Sequence, residues 1–283
     1  MNRAMSIVLL AVACVEDQKE EVELPSEAMG RLKIEEVFYA GSVPTAGIER
    51  YYSDQFIQLR NVSDQTIDIG GMALGDVHGI AGEINVGSSP DSFADDAEHI
   101  YFSNLWAIPK SSPFRYIEPN GCIKIAQDAA DHGPYSELSH FDAHFETFVE
   151  ESEQDHDDPI VENLESVFYT AGYDWLITVF GPTIVLITEE SLSSAETVDI
   201  GWTELLKVPS SGIIDSMEAL MDENSGGFKR LHEDLDSGFI HVSGTYTGES
   251  VRRISVDGEL QDNDNSGTDF IVSAPLSDCS TDE

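Results

Sequence analysis

Between Phe56 and Ile69 the chain alternates with a period of two. Ile57 and Leu59 are separated from each other by Gln58 and followed by Arg60, Asn61-Val62-Ser63-Asp64 supplies a turn, and Thr66-Ile67-Asp68-Ile69 alternates again. That period puts one set of side chains on one face of a pleated strand and the other set opposite; no helix buries it. The segment reads as a half-buried hairpin with Ile57, Leu59, Ile67 and Ile69 turned to a core. Leu32, Ile34 and Phe38 fall on one face, against Lys33 and Glu35. Further strands are expected at Ile123–Ala126, Trp175–Phe180, Ile184–Ile187, Gly238–Val242 and Ser250–Ile254, and Ile213–Met221 reads as a strand with a short helical turn. Gly70-Gly71, Gly75-Asp76 and Gly181-Pro182 punctuate these runs. Many short strands between glycine-rich turns predict a mostly-β sandwich. A length of 283 residues with 41% hydrophobic content allows a sizeable core, expected as a single domain over 31–275 with a polar tail at 276–283.

The first thirteen residues read as a signal peptide. Arg3 is their one positive charge, and the apolar run Ile7–Ala13 is too short to span a bilayer. Ala11-Val12-Ala13-Cys14 resembles the lipobox of bacterial lipoproteins, so cleavage before Cys14 would leave that cysteine N-terminal and open to lipid attachment. A buried methylene contributes roughly 0.8 kcal/mol and one acyl chain holds only marginally, whereas the two or three chains of such lipoproteins make a stable anchor. Residues 14–30 are then a lipidated N-terminus and an acidic, flexible tether, beginning Val15-Glu16-Asp17. Acidic residues just after the cysteine resemble the surface-export signal of Bacteroidota lipoproteins. The membrane is one expected partner, through this anchor.

Charge narrows the other partners. The formal net charge is −40, and loss of Arg3 with the leader takes it to −41. From Ile125 to Leu206 there are nineteen Asp and Glu and no Lys or Arg. Nucleic acid is excluded as a partner for most of this surface. The segment Asp131–Glu165 has little periodicity and is expected as a long acidic surface excursion. Diffuse screening by salt is the expected relief for the repulsion, ahead of a dedicated calcium site. With Cys14 lipidated, Cys122 and Cys279 remain. The default reading of Cys122 is a buried thiol; a Cys122–Cys279 bridge is the alternative in an oxidising compartment.

Two stretches carry a resemblance. Ile34-Glu35-Glu36-Val37, Asp54 to Asp64, and Ile67-Asp68-Ile69-Gly70-Gly71-Met72-Ala73-Leu74 resemble the opening of a lamin-tail-type domain, with Gln58 where that pattern usually has Glu. Lys229-Arg230-Leu231, Asp236-Ser237-Gly238-Phe239, Gly244 to Gly248, Ser250-Val251-Arg252-Arg253 and Leu260 to Ser266 follow in order. Together with Ile125 to Ala129 and Asp157-Asp158-Pro159, they resemble domain-of-unknown-function family 4876 over roughly Arg31 to Pro275. The resemblance implies an immunoglobulin-like or lamin-tail-like β-sandwich with long acidic loops, in a Bacteroidota surface or outer-membrane lipoprotein. It implies no established activity.

Candidate chemistry is sparse. Of His99, His132, His140, His144 and His156, the pair His140 and His144 would share one face of a helix, and Glu146 with Asp155 to Asp158 adds carboxylates. The glutamate that directly follows the first histidine in a zinc-hydrolase helix is missing. Asp262-Asn263-Asp264-Asn265-Ser266-Gly267 resembles the front of a calcium loop, but the closing position is Ser273, and Asp269 is the nearest carboxylate. The favoured reading there is an ordinary turn, and no cofactor is expected. Lys229, Arg230, Arg252 and Arg253 are four of thirteen mature bases and form a candidate docking patch, set against internal pairing with surplus carboxylates. Trp106, Trp175, Trp202, Tyr51, Tyr52 and Tyr246 are candidates for a sugar- or peptide-stacking face, most of them expected in the core or at its rim. No nucleophile elbow and no glycine-rich phosphate loop occur.

The expectation is therefore a non-enzymatic, lipid-anchored binding or adhesion module for an unknown protein or glycan. The alternatives are a carbohydrate-active or metal-dependent enzyme built on the acidic central segment, or an accessory subunit of an outer-membrane transporter. Anchoring is directly testable: Cys14→Ser should leave the precursor uncleaved or shift the protein to the soluble fraction. Normal maturation with unchanged detergent-phase partitioning would contradict the lipobox.

Overall fold

The computed structural model describes residues 28–44, 53–133, 136, 138–150, 152, 154–170, 172–175, 177–276 and 279. Among the described residues, strands account for 35% and helices for 8%. Two seven-stranded sheets carry the fold. Edge to edge, the first runs Phe270–Ser273, Ser250–Arg253, Leu32–Phe38, Phe56–Asn61, Cys122–Ala126, Phe145–Glu146 and Glu162–Asn163. The second runs Glu196–Asp199, Glu204–Pro209, His99–Ala107, Ala73–Val77, Thr183–Ile187 and Ile213–Glu218, with Glu165–Tyr169 also pairing onto His99–Ala107. Pairing is antiparallel except at the Phe145–Glu146 strand, which is parallel to both neighbours.

The sheets share one core. Leu32, Ile34, Val37, Ile57, Leu59, Ile123 and Ile125 of the first meet Leu74, Trp106, Ile184, Leu186 and Met217 of the second. The outer face of the second sheet has its own apolar layer, which includes Phe102, Leu105, Val185, Ile187 and Val208. The Thr183–Ile187 strand is thus buried on both faces, which is why its sequence is a continuous apolar run. Ile57, Leu59, Ile67 and Ile69 all enter the core shared by the two sheets, each within 1% of full burial.

Several expectations need correcting. Phe56–Asn61 and Ile67–Asp68 do not pair as a hairpin: the first lies between Leu32–Phe38 and Cys122–Ala126, and the second pairs with Tyr116–Ile117. The polar face of Phe56–Asn61 is also buried, because Arg60 Nε donates to Glu35 at 2.7 Å and Gln58 Nε2 to the carbonyl of Leu276 at 2.9 Å. Phe38 does not share a face with Leu32 and Ile34. A bulge between Ile34 and Glu36 shifts the parity, so Val37 takes the inner face and Phe38 packs with Phe56 and Leu138 on the other side. Among their described residues, Trp175–Phe180 and Gly238–Val242 form no strand; Trp175 and Ile177 are buried from irregular backbone, and Ile240 makes an isolated bridge to Ala219. The Asp131–Glu165 excursion returns to the core. Its Phe145 is fully buried, and two short strands from it extend the first sheet. The leader, Cys14, the tether to 27, Tyr51 and Tyr52 lie outside the described residues.

Cys122 is not a free thiol. It is bridged to Cys279, 157 residues further on, with a Cα–Cα distance of 5.6 Å. Leu276, three residues before Cys279, is fixed to the first sheet, where its N–H donates to Glu36. On this architecture Ile57→Asp places an unpartnered carboxyl between the sheets. It should lower unfolding free energy by about 3–4 kcal/mol, read from denaturant melts; a change below about 0.5 kcal/mol would contradict the packing.

Candidate functional site

Trp202 is 69% exposed, the largest side chain to be so open among the described residues. It sits at the tip of the hairpin joining Glu196–Asp199 to Glu204–Pro209. The turn is closed by Ile200 N–H to the Thr203 carbonyl at 3.0 Å and by Gly201 N–H to Asp199 Oδ1 at 2.7 Å. Gly201 has φ +94°, a conformation that an L side chain rarely adopts, and it lifts the indole off the sheet. The neighbouring ring is His78, 5.6 Å away between centroids, at the end of the Ala73–Val77 strand. His78 Nδ1 lies 3.3 Å from Ser103 Oγ, and its Nε2 lies 3.4 Å from Asp91. Phe93 is 6.2 Å from His78 and stacks on Tyr101 at 4.1 Å. Beneath the indole is a cleft of about 200 Å³ lined by Asp76, His78, Asp91, Ser103, Trp202 and Arg230. Asp95, Asp96 and Glu98 rim an adjoining depression. The arrangement is an aromatic shelf over a small polar cleft with acidic surroundings.

The residues singled out in the sequence are spread elsewhere. Trp106 and Trp175 are in the core. His140 is fully buried. Its Nε2 meets the Asp54 carbonyl at 2.8 Å, and burial pushes its ring down to about 3. His144 Nδ1 instead accepts from the Lys124 N–H at 3.1 Å. The backbone between them is a turn entering a strand, so helical spacing never brings the two rings to one face. Asp262 pairs with Lys33 and lies 3.4 Å from Arg253 Nη1. Asp269 accepts from the N–H groups of Asn263 and Asn265 at 2.8 and 3.1 Å, and Asp264 is a left-handed turn residue at φ +51°.

The four bases do not form a surface patch. Lys229 Nζ lies 2.6 Å from Glu218 Oε2, and the Arg230 N–H donates to Glu218 Oε1 at 2.6 Å. Arg230 and Arg253 are 4% and 3% exposed. Arg253 Nη2 contacts both Asp215 oxygens at 2.7 and 2.6 Å, and Arg252 sits opposite Glu36 in the sheet. In so acidic a chain, the bases are drawn inward to buried carboxylates.

A second constellation was missed in the sequence. Asp128, Asp155 and Asp174 each offer a carboxylate oxygen within 4.8 Å of the others. Asp128 follows the Cys122–Ala126 strand, and the other two come from separate loops. Burial, and then the charges of its acidic neighbours, push Asp128 up to about 8; burial and Asp155 push Asp174 up to about 7. Glu146 is raised to about 7 by burial, although it accepts the N–H groups of Ala129 and Asp158, each at 2.8 Å. No spacing rule links positions 128, 155 and 174. Asp155 stood in the sequence among the carboxylates beside His140 and His144, but for Asp128 and Asp174 the hint was only the density of acids between Ile125 and Leu206.

A family model described as "Protein of unknown function (DUF4876)" matches residues 118–277. The fold is similar to the crystal structure, at 2.50 Å resolution, of a DUF4876 family protein from Bacteroides thetaiotaomicron VPI-5482. The TM-score is 0.74 and the identity 23%, over 88% of this chain and 72% of that one. No curated protein matches.

The buried acids set a pH dependence. Glu36 and Asp54 are raised by burial to about 7 and about 6, in the same direction as Asp128, Glu146 and Asp174. Each is raised above its unfolded value, so the folded state binds more protons, and stability is lost as pH rises from about 4 towards 8. In chelator at fixed ionic strength, the melting temperature should be lower at pH 8 than at pH 5, falling most steeply above about pH 6.5, where the depressed His140 no longer opposes the acids. A rise over that range would contradict the burial of these groups.

Proposed function

This chain belongs to the DUF4876 family, and from that premise we propose that it is an envelope-anchored lipoprotein whose sandwich binds a neutral glycan at Trp202 without turning it over. The observation that carries the reading is an indole 69% exposed on a glycine-supported hairpin tip, above a polar cleft. A flat aromatic ring held away from the core offers an apolar face to the C–H side of a sugar ring, while His78, Asp91 and Ser103 offer hydrogen bonds to hydroxyls. The acidic rim at Asp91, Asp95, Asp96 and Glu98 repels polyanions, which favours neutral sugars over sulfated or uronic ones.

The anchor rests on Ala11 to Cys14. The Cys122–Cys279 bridge suits an oxidising compartment outside the cytoplasm. A hydrolase built on Asp128, Asp155 and Asp174 fits less well. Glycosidase carboxyl pairs stand about 5–5.5 Å or 6.5–9.5 Å apart across an open groove, whereas Asp128 and Asp174 are 8% and 6% exposed and their oxygens lie closer.

Affinity electrophoresis through gels containing starch, xylan, mannan or neutral mucin glycans tests the reading. The wild-type chain should be retarded by at least one of them. Trp202→Ala should weaken that retardation by about tenfold, at an unchanged melting temperature. Free migration of the wild type in every gel, or equal retardation of Trp202→Ala, would refute it.

A further inference from the structure

The Asp128–Asp155–Asp174 cluster has a feature that its charge alone does not explain. On each of the three carboxylates, Oδ1 is buried and meets no N–H or hydroxyl donor among the described residues, and the Asp128 and Asp155 carboxyls face each other. Asp128 and Asp174 are themselves more than nine-tenths buried. A fourth side chain points the same way. Gln127 is 2% exposed, and its Nε2 donates to Asp174 Oδ2 at 2.8 Å, which brings the amide to the cluster, yet its Oε1 also lacks a partner. Leaving a buried acceptor unpartnered costs roughly 1–3 kcal/mol, more when it is charged, and native interiors rarely leave several together. Three such oxygens, on aspartates whose carboxylates approach within 4.8 Å of one another, therefore ask for a ligand that accepts electron pairs.

The surroundings hold the oxygens in place by other contacts. Asp155 Oδ2 accepts from the Val149 N–H at 2.7 Å, and Asp174 Oδ2 is held by Gln127. Glu146 uses both of its oxygens on backbone N–H groups, of Ala129 and Asp158, and so ties the loop carrying Asp155 to the turn carrying Asp128. The partner atoms fix the ligand sides and leave the facing oxygens free, which is the role that outer-shell contacts play around a bound ion. Asp155 is only half-buried and offers a way in.

We propose that Asp128, Asp155 and Asp174, with Gln127 orienting Asp174 through its amide N–H, form a binding site for a hard divalent cation, calcium before magnesium. Every donor is an oxygen, which excludes a soft-metal preference. Two oxygens on opposite sides of one calcium stand about twice the 2.3–2.6 Å bond length apart, and the three carboxylates fall within 4.8 Å of one another. Calcium tolerates an irregular oxygen set, whereas magnesium demands near-octahedral geometry at about 2.0–2.1 Å. The ion would join three segments distant in sequence: the end of the Cys122–Ala126 strand and the two loops around Asp155 and Asp174. This site is separate from the Asp262–Asp269 turn, whose carboxylates are held by protein donors.

The test uses the mature chain after exhaustive chelation. Calcium chloride titrated into it by calorimetry should bind saturably at one site and raise the melting temperature. Asp128→Asn and Asp174→Asn replace a carboxylate with a neutral group of the same shape; each should weaken calcium binding at least tenfold, while Asp264→Asn should not. A measurement on the wild type alone guards against misfolded variants. Terbium should show emission sensitised by Trp175, which directly follows Asp174 and is 2% exposed, and calcium should displace it. Absence of saturable calcium binding, binding unaffected by both Asp128→Asn and Asp174→Asn, a response to zinc alone, or terbium emission that calcium does not displace would each overturn the assignment.

Discussion

The pair between Arg253 and Asp215 holds the two sheets in register. Arg253 belongs to the Ser250–Arg253 strand of the first sheet, and Asp215 to the Ile213–Glu218 strand of the second. The guanidinium meets both carboxylate oxygens and donates through Nε to the Ile34 carbonyl at 2.9 Å, while Asp215 also accepts the Ile34 N–H at 2.5 Å. One buried ion pair thereby engages both sheets and the Leu32–Phe38 strand beside it. A pair like this adds little net stability, since the desolvation of two charges offsets most of their attraction. Its effect is on specificity: any other stacking of the sheets would bury a charge without its partner, which costs far more. Phe270 closes the site from the end strand, 4.4 Å under the guanidinium.

The same economy of bases explains what the sequence showed and what it hid. Alternation at Ile57, Leu59, Ile67 and Ile69 was legible because burial on one face imposes a period of two. The pairing of those strands was not legible, because hairpin turns and longer crossovers leave similar local patterns. Parity at Phe38 was lost to a bulge, which inserts one residue without any mark in hydrophobicity. Lys229, Arg230, Arg252 and Arg253 stood out as a basic cluster. Only the fold shows that Glu218 pairs with Lys229 and Arg230, that Asp215 pairs with Arg253, and that Arg252 lies opposite Glu36. The C-terminal motifs that carry the family resemblance, from Lys229 to Ser266, fall inside the matched stretch 118–277, whereas Arg31 to Ile117 lies outside it.

Acids were harder to read than bases. Nineteen of them between Ile125 and Leu206, with no base, look like one solvated surface. The structure divides them. Asp142 meets the buried ammonium of Lys124, Glu146 is spent on two backbone N–H groups, and Asp128, Asp155 and Asp174 converge. Aspartates drawn together from three segments leave no spacing to find, unlike a contiguous loop such as Asp262–Gly267, whose alternating oxygens looked like a calcium loop while serving a turn. Trp202 was visible as one aromatic among six. Its exposure depends on the strands on either side, Glu196–Asp199 and Glu204–Pro209, whose alternation is weak.

The cluster and the cleft are joined by one rigid side chain. Trp175 follows Asp174 directly, its indole Nε1 donates to Asp76 Oδ1 at 2.6 Å, and Asp76 lines the cleft below Trp202. Asp76 also accepts from Asn104 at 2.8 Å, and burial raises its carboxyl above the ordinary range despite both donors. Trp175 packs at 6.0 Å from Trp106, between the sheets, so it has no room to change rotamer without opening the core. The position of Asp174 and the floor of the cleft are consequently set by the same indole. Whatever orders the loop at Asp174 therefore also orders Asp76 at the floor of the cleft. This gives the acidic segment a structural role in that site, although none of its three clustered aspartates lines the cleft itself.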